Sequence, residues 1–374
     1  MKKLIDICDI QYGYAFDSAY FTENSCYPPL ARIRDVKRGY SETYYSGGYS
    51  EEYILASGDL LVGMDGEFNI ARWKCDGALL NQRVCRLLAK KGTNEEYLRF
   101  AMMKVLKEIE RRTAFVTVKH LSAKELNKLQ LVVPDLSTQN KVAEILSRLE
   151  KIIGLRRQEL KRLDDLIKAR FVEMFGDPIL NPKGWEMVAV GDIVTDVRYG
   201  TSKPAVEGGK YPYLRMNNLT SDGHLDLKDL KYIDISDDEI EKCVVRKGDV
   251  LFNRTNSIEL VGKTAVFDLP EDMVIAGYII RVRLNEKLLP EIFSQYMNLE
   301  AIKSILRGMA KGAVNQANIN AQELQSIKVY IPSIELQNQF VEMKEQVDKS
   351  KVAIQKALDK TQMLFDSLMQ EYFG

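Results

Sequence analysis

Two stretches of the chain, residues 135–174 and 333–373, repeat apolar side chains at helical spacing. Each stretch opens behind a proline, with Asp135 or Ser333 as a favourable helix N-cap. Apolar residues three and four positions apart form a stripe along one face of an α-helix. The pattern predicts two helices of roughly 38 residues, each ~57 Å long at 1.5 Å per residue.

Neither apolar stripe is complete by itself. Arg156 and Arg170 interrupt the first stripe where the second has Ile354 and Leu368. Because a lone amphipathic helix would leave its stripe in water, we expect the two helices to pair antiparallel and to dock on helices of a partner. The residues expected to form these helix contacts are Val142, Leu146, Leu149, Ile153, Leu160, Leu163, Ile167, Phe340, Val347, Ile354, Leu358 and Phe365. A coiled-coil spacer with no other task is the simpler alternative.

The chain is a tandem duplication. Residues of 123–176 recur in 321–374 at one constant spacing of 198 positions. Upstream, the matches keep their order but shift in spacing, from 183 for Arg32 and Arg215 to 190 for Gly58 and Gly248, as expected for related domains with variable loops. The predicted divisions are a globular domain (1–134), a helix (135–176), a linker (177–184), a second globular domain (185–332) and a final helix (333–374).

These divisions predict an α+β protein in which each globular domain is followed by a long helix, the two helices forming an antiparallel coiled coil. Such pairing would relate the two domains by a pseudo-twofold axis. That symmetry suits the reading of two half-sites.

Composition is that of a multidomain protein of a reducing compartment. The 374 residues allow two domains of roughly 130 to 150 residues beside the helices. The first residues lead into no sustained apolar run, so we expect neither a signal peptide nor a membrane span, and a cytoplasmic location. The five cysteines are odd in number and lack Cys-x-x-Cys spacing, which is typical of free thiols. Two histidines do not favour a zinc site.

No motif predicts catalysis. Residues 208–210 (GGK) lack the upstream glycine and the hydroxyl of a phosphate-binding loop, and residues 181–184 (NPKG) are typical of a turn. The adjacent acids Asp164 and Asp165 are more typical of a solvated helix face than of a catalytic pair. We therefore expect this chain to be no enzyme and any chemistry to belong to partners.

Charge argues against strong binding to a polyanion by the chain alone. It has 53 Lys plus Arg and 53 Asp plus Glu. Residues 1–134 have 20 basic and 17 acidic side chains, and residues 185–332 have 18 and 21. A domain that bound DNA mainly by neutralising phosphates would be more basic. Either small basic patches face the DNA, or partner subunits supply most phosphate contacts.

Several segments carry a family resemblance. Residues 170–178 (RFVEMFGDP) with 181–185 (NPKGW) resemble the junction between the halves of the DNA specificity subunit of type I restriction-modification systems. Residues 199–204 (YGTSKP) with 211–218 (YPYLRMNN) resemble the start of that family's target recognition domain, and 332–337 (PSIELQ) resemble the entry into its spacer helix. Each motif is weak, but their order, spacing and duplication are specific, and the resemblance covers essentially the whole chain.

The first half departs further from this pattern. Its Tyr-Gly pair is followed by residues 14–16 (YAF), and Arg34-Asp35 stands where the second half has Asn217-Asn218. The departure bears on which bases the first domain reads more than on its fold.

The resemblance implies a division of labour within a complex. Each target recognition domain would read one half of a bipartite target in double-stranded DNA. The helices would dock two methyltransferase (modification) subunits, and restriction/translocase subunits would complete the assembly. S-adenosylmethionine, ATP and Mg would belong to the partner subunits, with no cofactor here, and the outcome would be adenine-N6 methylation or cleavage.

Candidate DNA contacts are polar, basic and aromatic residues of loops, because these side chains bind base edges and phosphates. In the second domain they are Tyr199, Thr201, Ser202, Lys203, Arg215, Asn217, Asn218, Asn253, Arg254, Asn256, Lys311, Asn315 and Gln316. In the first domain they are Tyr12, Tyr14, Arg32, Arg34, Lys37, Arg38, Thr117, Lys119 and His120, with Asp65 and Glu67 nearby. Arg254 is the strongest base-reading candidate; for any single residue, a turn role is the alternative.

Two alternatives to this function remain. One is the recognition subunit of a combined restriction-methylation enzyme (type IIB-like), which would differ only in the partner. The other is a coiled-coil scaffold that binds proteins and no DNA, which the balanced charge permits.

Overall fold

The chain forms two compact units in a computed structural model that describes residues 1–112, 120–310 and 316–374. The first unit comprises residues 1–157 and 356–374, and the second comprises residues 158–355. Each unit therefore holds one globular domain and a segment of each long helix.

The first unit alternates short strands with helices that flank its sheets. Its elements in chain order are β1 (Lys2–Lys3), α1 (Leu4–Ile7), β2 (Cys8–Tyr12), β3 (Phe21–Thr22), β4 (Leu30–Ala31), β5 (Tyr44–Tyr45), β6 (Ile54–Leu55), β7 (Leu60–Gly63), β8 (Asn69–Arg72), β9 (Ala78–Leu80), β10 (Val84–Ala89), α2 (Glu95–Arg112), α3 (Ala123–Leu126), β11 (Gln130–Leu131) and the first part of α4 (Leu136–Phe175). An antiparallel sheet has the order β2-β10-β7-β8, and a smaller sheet has the order β4-β9-β6 with β4 and β9 parallel.

The second unit repeats this plan. Its elements are β12 (Glu186–Ala189), β13 (Val194–Tyr199), β14 (Tyr211–Leu214), β15 (Lys231–Ile233), α5 (Asp237–Cys243), β16 (Val244–Val245), β17 (Val250–Asn253), β18 (Thr255–Asn256), β19 (Thr264–Val266), β20 (Met273–Ile275), β21 (Ile279–Leu284), α6 (Pro290–Met297), α7 (Glu300–Met309), β22 (Ala317–Asn318), α8 (Ala321–Ser326), β23 (Lys328–Ile331) and the first part of α9 (Ile334–Phe373). The sheet order β13-β21-β17-β19 corresponds strand by strand to β2-β10-β7-β8.

The central strands are apolar on both faces because they lie inside each domain. Leu60, Leu61 and Val62 of β7 are fully buried, as are the first three residues of β17. The turn before each of these strands ends in a glycine with positive φ, Gly58 at 98° and Gly248 at 92°. That backbone region favours glycine, so the repeated Gly-Asp pair marks the same tight turn in both domains.

The two long helices match the sequence prediction, since α4 and α9 each contain 40 residues. In the second unit they run antiparallel: Asp164 pairs with Lys351 at 2.5 Å, and the rings of Phe171 and Phe340 lie 5.1 Å apart. In the first unit Arg156, which interrupts the apolar stripe, donates to the Thr361 hydroxyl and to a backbone carbonyl of α9. The helices thus pair with each other inside each unit.

The predicted docking residues need a correction, because the chain uses most of them internally. Seven are buried: Val142, Leu146, Ile153, Ile167, Phe340, Leu358 and Phe365. The other five are half-buried: Leu149, Leu160, Leu163, Val347 and Ile354. The large apolar residues of these helices that remain exposed are Leu136, Ile145, Ile152, Leu155, Leu166, Val172, Ile334, Val352, Met363 and Leu364. Among the helices that the structure describes, none is long and apolar enough to cross a membrane.

Candidate nucleic-acid interface

In the second domain, one end of the main sheet gathers several of the predicted contact residues. Arg254 lies between β17 and β18, and its backbone is held from two sides. Its N–H donates to the Tyr278 carbonyl at 2.9 Å, and its carbonyl accepts from the Ile319 N–H at 2.9 Å. The strand β18 then pairs with β22, where Thr255 donates its hydroxyl to Asn318 at 2.8 Å. The position of Arg254 is therefore fixed by the sheet.

The Arg254 guanidinium stacks on an aromatic ring. Its central carbon lies 4.9 Å from the ring centroid of Tyr199, which ends β13. Among the described residues, the buried Arg254 Nε has no hydrogen-bond partner. No Asp or Glu of the described residues forms an ion pair with the Arg254 guanidinium. Stacking holds the plane of a guanidinium without occupying its N–H donors. Such a group is prepared to bind the acceptor edge of a base.

The loop after β13 is held by backbone contacts more than by its side chains. Thr201 donates its N–H to Ile275 at 2.9 Å, and Gly200 passes so close to that strand that an added Cβ would lie 2.1 Å from the Ile275 carbonyl oxygen. The corresponding Gly13 has the same close approach in the first domain. Lys203 is paired with Glu239, and Ser202 is exposed. Thr201, Ser202 and Lys203 thus stay at the surface, and the repeated Tyr-Gly pair is explained by packing.

Two of the predicted DNA contacts are wrong, because the residues lie in the protein interior. Asn218 is 1 % exposed; its side chain accepts from the Arg215 N–H at 2.9 Å and donates to the Asp226 carbonyl at 2.8 Å. Asn253 is fully buried and donates to two carbonyls, while its oxygen accepts from Asn256. Buried amides must satisfy their own hydrogen bonds, so Asn218 and Asn253 shape the loops and are withdrawn as DNA contacts.

Their neighbours remain available. Asn217 is exposed on the 3-10 turn Met216–Asn218. Arg215 is half-buried and pairs with Asp229 at 2.7 Å. The buried Lys263 stabilises that turn by donating hydrogen bonds to the carbonyls of Met216 and Leu219. The sequence did not predict this role, because only the fold brings Lys263 to the turn. Gln316 is exposed, whereas Lys311 and Asn315 lie outside the described residues.

In the first domain, three of the predicted arginines line one groove of about 700 Å³. Arg32 lies over the Phe21 ring at 5.8 Å, Arg34 donates to Thr43 at 3.2 Å, and Arg38 binds the buried carboxylate of Asp35 at 2.6 Å. This arginine-rich groove is open and is also lined by Glu23 and Glu42; arginine side chains in such a groove can bind a phosphate. Lys37 lies outside this groove and pairs with Glu67 at 3.1 Å.

The tyrosines of the first domain divide between packing and surface. Tyr12 ends β2 and donates its hydroxyl to Asn127 at 3.0 Å, and burial raises the pKa of Tyr12 to about 12. Tyr14 is exposed, with its ring 5.2 Å from that of Phe16. Within the tyrosine-rich residues 40–49, Tyr45 is buried against Phe16 while Tyr40 and Tyr49 are exposed. Tyr12 is thus a tether for the short helix α3, whereas Tyr14 stays a candidate contact.

A second polar cluster of the first domain joins residues far apart in sequence. Asp65 and His120 form an antiparallel backbone bridge and a hydrogen bond between carboxylate and imidazole. The other carboxylate oxygen accepts from Arg83 Nε at 3.1 Å. His120 was a predicted contact, but Arg83 was not. From the sequence alone, Gln82-Arg83 beside an apolar run could equally be a buried structural pair. Thr117 and Lys119 lie outside the described residues.

Comparison with known proteins agrees with this architecture. The family described as Type I restriction modification DNA specificity domain matches residues 1–164 and 182–361. The specificity subunit of the type I restriction enzyme EcoBI of Escherichia coli is 28% identical over 401 aligned positions, covering 98% of this chain and 84% of that protein.

Solved structures show the same fold. The S subunit of a type I restriction-modification system from M. genitalium aligns with a TM-score of 0.61 at 15% identity, over 100% of this chain and 95% of that one. A chain from a structural study of complex assembly and conformational transition of the type I R-M system aligns with a TM-score of 0.56 at 18% identity, over 99% and 96%. The chain therefore belongs to the type I restriction-modification DNA specificity family, as a specificity subunit with two tandem recognition domains.

Proposed function

We propose that each domain reads its half of a bipartite DNA target through one end of its main sheet, the end that holds Arg254 in the second domain and Asp65 in the first. We also propose that the chain itself performs no catalysis. The observation that carries this is the duplication of one framework with different polar side chains at matching positions. Thr255 and Asn318 of the second domain stand where the first domain has Asp65 and His120. Two domains that recognise different DNA sequences need the same backbone framework and different side chains at the contact positions.

The proposed contacts fall into two chemical classes. Arg254 carries the base-reading role in the second domain, because a guanidinium can donate two parallel hydrogen bonds to guanine O6 and N7. Arg32, Arg34 and Arg38 hold the backbone in the first domain, because arginine forks fit phosphate oxygens. Phosphate contacts set the position of the protein, and base contacts supply its sequence preference.

The partners in this proposal dock on the long helices. Ten large apolar residues of α4 and α9 are exposed, including Leu155 at 54% and Met363 at 71%. Apolar side chains repeated along a helix favour burial against another protein. The proposed occupants are two methyltransferase subunits, joined by restriction/translocase subunits, in the cytoplasm. S-adenosylmethionine, ATP and Mg would be bound by these partners.

The balanced charge supports a dependence on those partners. With equal numbers of basic and acidic residues, the chain has no net positive charge to attract DNA, and only local basic patches can neutralise phosphates. We expect the purified chain to bind duplex weakly and to lose that binding as salt rises. Tight sequence-specific binding by the chain alone at physiological salt would contradict this.

The experiment that tests the function is a genome-wide map of N6-methyladenine in the host, with and without this gene. The expected result is the loss of one split motif, which would give both half-sites at once. If the assembled complex also failed to protect any DNA from footprinting reagents, the scaffold function would replace this proposal.

A further inference from the structure

The two domains present an arginine at the same sheet end, but from different strands. In the second domain the Arg254 N–H donates to the Tyr278 carbonyl at 2.9 Å. In the first domain the Met64 N–H donates to the Arg83 carbonyl at 3.0 Å. Met64 follows β7 as Arg254 follows β17, and Arg83 precedes β10 as Tyr278 precedes β21. The arginine therefore supplies the N–H of this backbone hydrogen bond in the second domain and the carbonyl in the first, with Tyr278 and Met64 as its respective partners.

In the first domain, Met64 and Arg83 differ strongly in exposure. Met64, which matches Arg254 in position, is only 5% exposed and belongs to the core of the first domain. The Arg83 side chain is 51% exposed at the adjacent position. Each domain thus has one arginine at this pair of positions, exposed in the first domain and half-buried in the second, although the aligned residues are unlike.

Arg83 is held by a carboxylate rather than by a ring. Asp65 is only 27% exposed and divides its two oxygens between Arg83 Nε, at 3.1 Å, and the imidazole of His120. An ion pair as exposed as that of Arg83 adds little to stability. A carboxylate that binds Nε fixes the plane of the guanidinium, as Tyr199 does for Arg254.

We propose that Arg83 is a specificity-determining residue of the first domain and reads a guanine in its half-site, with Asp65 as its positioning residue. This inference rests on the proposed function, because it names the reading group of a site already taken to bind DNA. Guanine is the base whose O6 and N7 accept both donors of one guanidinium. Arg254 performs the same task in the second domain from the neighbouring strand.

The test uses the assembled complex of this chain with its methyltransferase partner and a DNA library randomised over both half-sites. Methylation of each sequence is read for the wild type and for Arg83→Ala, Arg83→Lys and Arg254→Ala. In Arg83→Ala, discrimination at one G·C pair of one half-site should fall roughly 5- to 150-fold. Arg254→Ala should relax a position in the other half-site only.

Lysine is the matched control, because it keeps the charge but loses the planar fork. Arg83→Lys should keep overall methylation while discrimination at that base stays relaxed. Asp65→Asn should relax the same base by a smaller factor. Thermal melting of the Arg83 and Asp65 variants should stay near that of the wild type, since the side chains of Arg83, Asp65 and His120 all reach the surface.

The outcomes separate this inference from the proposed function. No split motif with the wild-type complex would overturn the function itself. A split motif that Arg83→Ala leaves unchanged would overturn only the inference. A uniform loss that lysine restores would also overturn it, because Arg83 would then be a phosphate contact.

Discussion

The ammonium group of Lys263 lies 2.6 Å from the carbonyl oxygen of Leu219 and donates a hydrogen bond to it. A second bond to the Met216 carbonyl, at 2.7 Å, closes the turn that carries Asn217. Lys303 of α7 donates in the same manner to the Gly262 carbonyl. Two buried lysines with carbonyl partners thus support the loops of the second domain. Burial lowers the pKa of both, because a desolvated ammonium loses its hydration.

Lys303 should make the stability of the chain depend on pH. Its pKa falls from 10.5 to about 7 on folding. Between these values the unfolded chain binds more protons, so the free energy of unfolding should rise with pH, by up to about 1.4 kcal/mol per pH unit. Well below pH 7 both states are protonated and this dependence disappears.

Urea unfolding of the whole chain from pH 6 to pH 9 would measure this effect against Lys303→Met. Methionine has a similar length and no charge, and the Gly262 carbonyl keeps the Thr264 hydroxyl as a donor at 3.0 Å. The unfolding free energy of the wild type relative to the variant should increase from pH 7 upward. A difference independent of pH would show that Lys303 is not held as a buried amine.

Gly200→Ala should destabilise the protein through a backbone clash. An added Cβ would lie 2.1 Å from the Ile275 carbonyl oxygen and 2.3 Å from that of Ala276. Strand backbone cannot move away without breaking the sheet, so we expect a loss of about 2 kcal/mol or more in the free energy of unfolding.

Gly154→Ala is the matched control for that measurement. Gly154 lies within α4, and nothing stands within 4 Å of its added Cβ. Because alanine favours helix over glycine, this variant should gain about 1 kcal/mol. Equal effects of the two substitutions would contradict the clash at Gly200.

How far the sequence predicted the fold depends on how local each signal is. The helix α4 was predictable because its stripe, its cap at Asp135 and its proline-free length all lie within one segment. The order of the sheet strands was not, since β10 pairs with β2 and β7 through residues more than 20 positions away. Duplication compensated in part, because it showed that the two halves must share one fold.

The site was predicted less completely, because polarity alone does not tell a contact from a buried bond. Asn218 and Asn253 are residue types that often contact DNA, yet the side-chain amide of each donates to a backbone carbonyl inside the domain. Arg83 was missed for the opposite reason. Its partners Asp65 and His120 lie 18 and 37 positions away in sequence, and only the folded sheet unites them.

Arg34 should contact a phosphate and therefore affect affinity without affecting sequence preference. It lines the arginine-rich groove, and its side chain is 61% exposed. In the assembled complex, Arg34→Ala should weaken binding evenly across sequences and reduce the slope of log K against log salt by about 0.9. Arg198→Ala is the control, since Arg198 is similarly exposed but lies outside the groove and pairs with Asp196. A change of base preference in Arg34→Ala would instead make Arg34 a reader.

Two adjacent residues of α9 separate partner docking from internal packing. Leu364 is 50% exposed, whereas Phe365 is 7% exposed, with its ring 6.0 Å from that of Phe100. Leu364→Glu should leave the melting temperature near that of the wild type and weaken capture of the methyltransferase subunit, because a charge would be placed in an apolar contact. Phe365→Ala should instead cost about 3 to 5 kcal/mol of stability, as for other large aromatic residues of a core. Co-purification with normal yield in Leu364→Glu would place the methyltransferase elsewhere on the chain, since an exposed leucine that tolerates a charge in the complex is not buried by a partner.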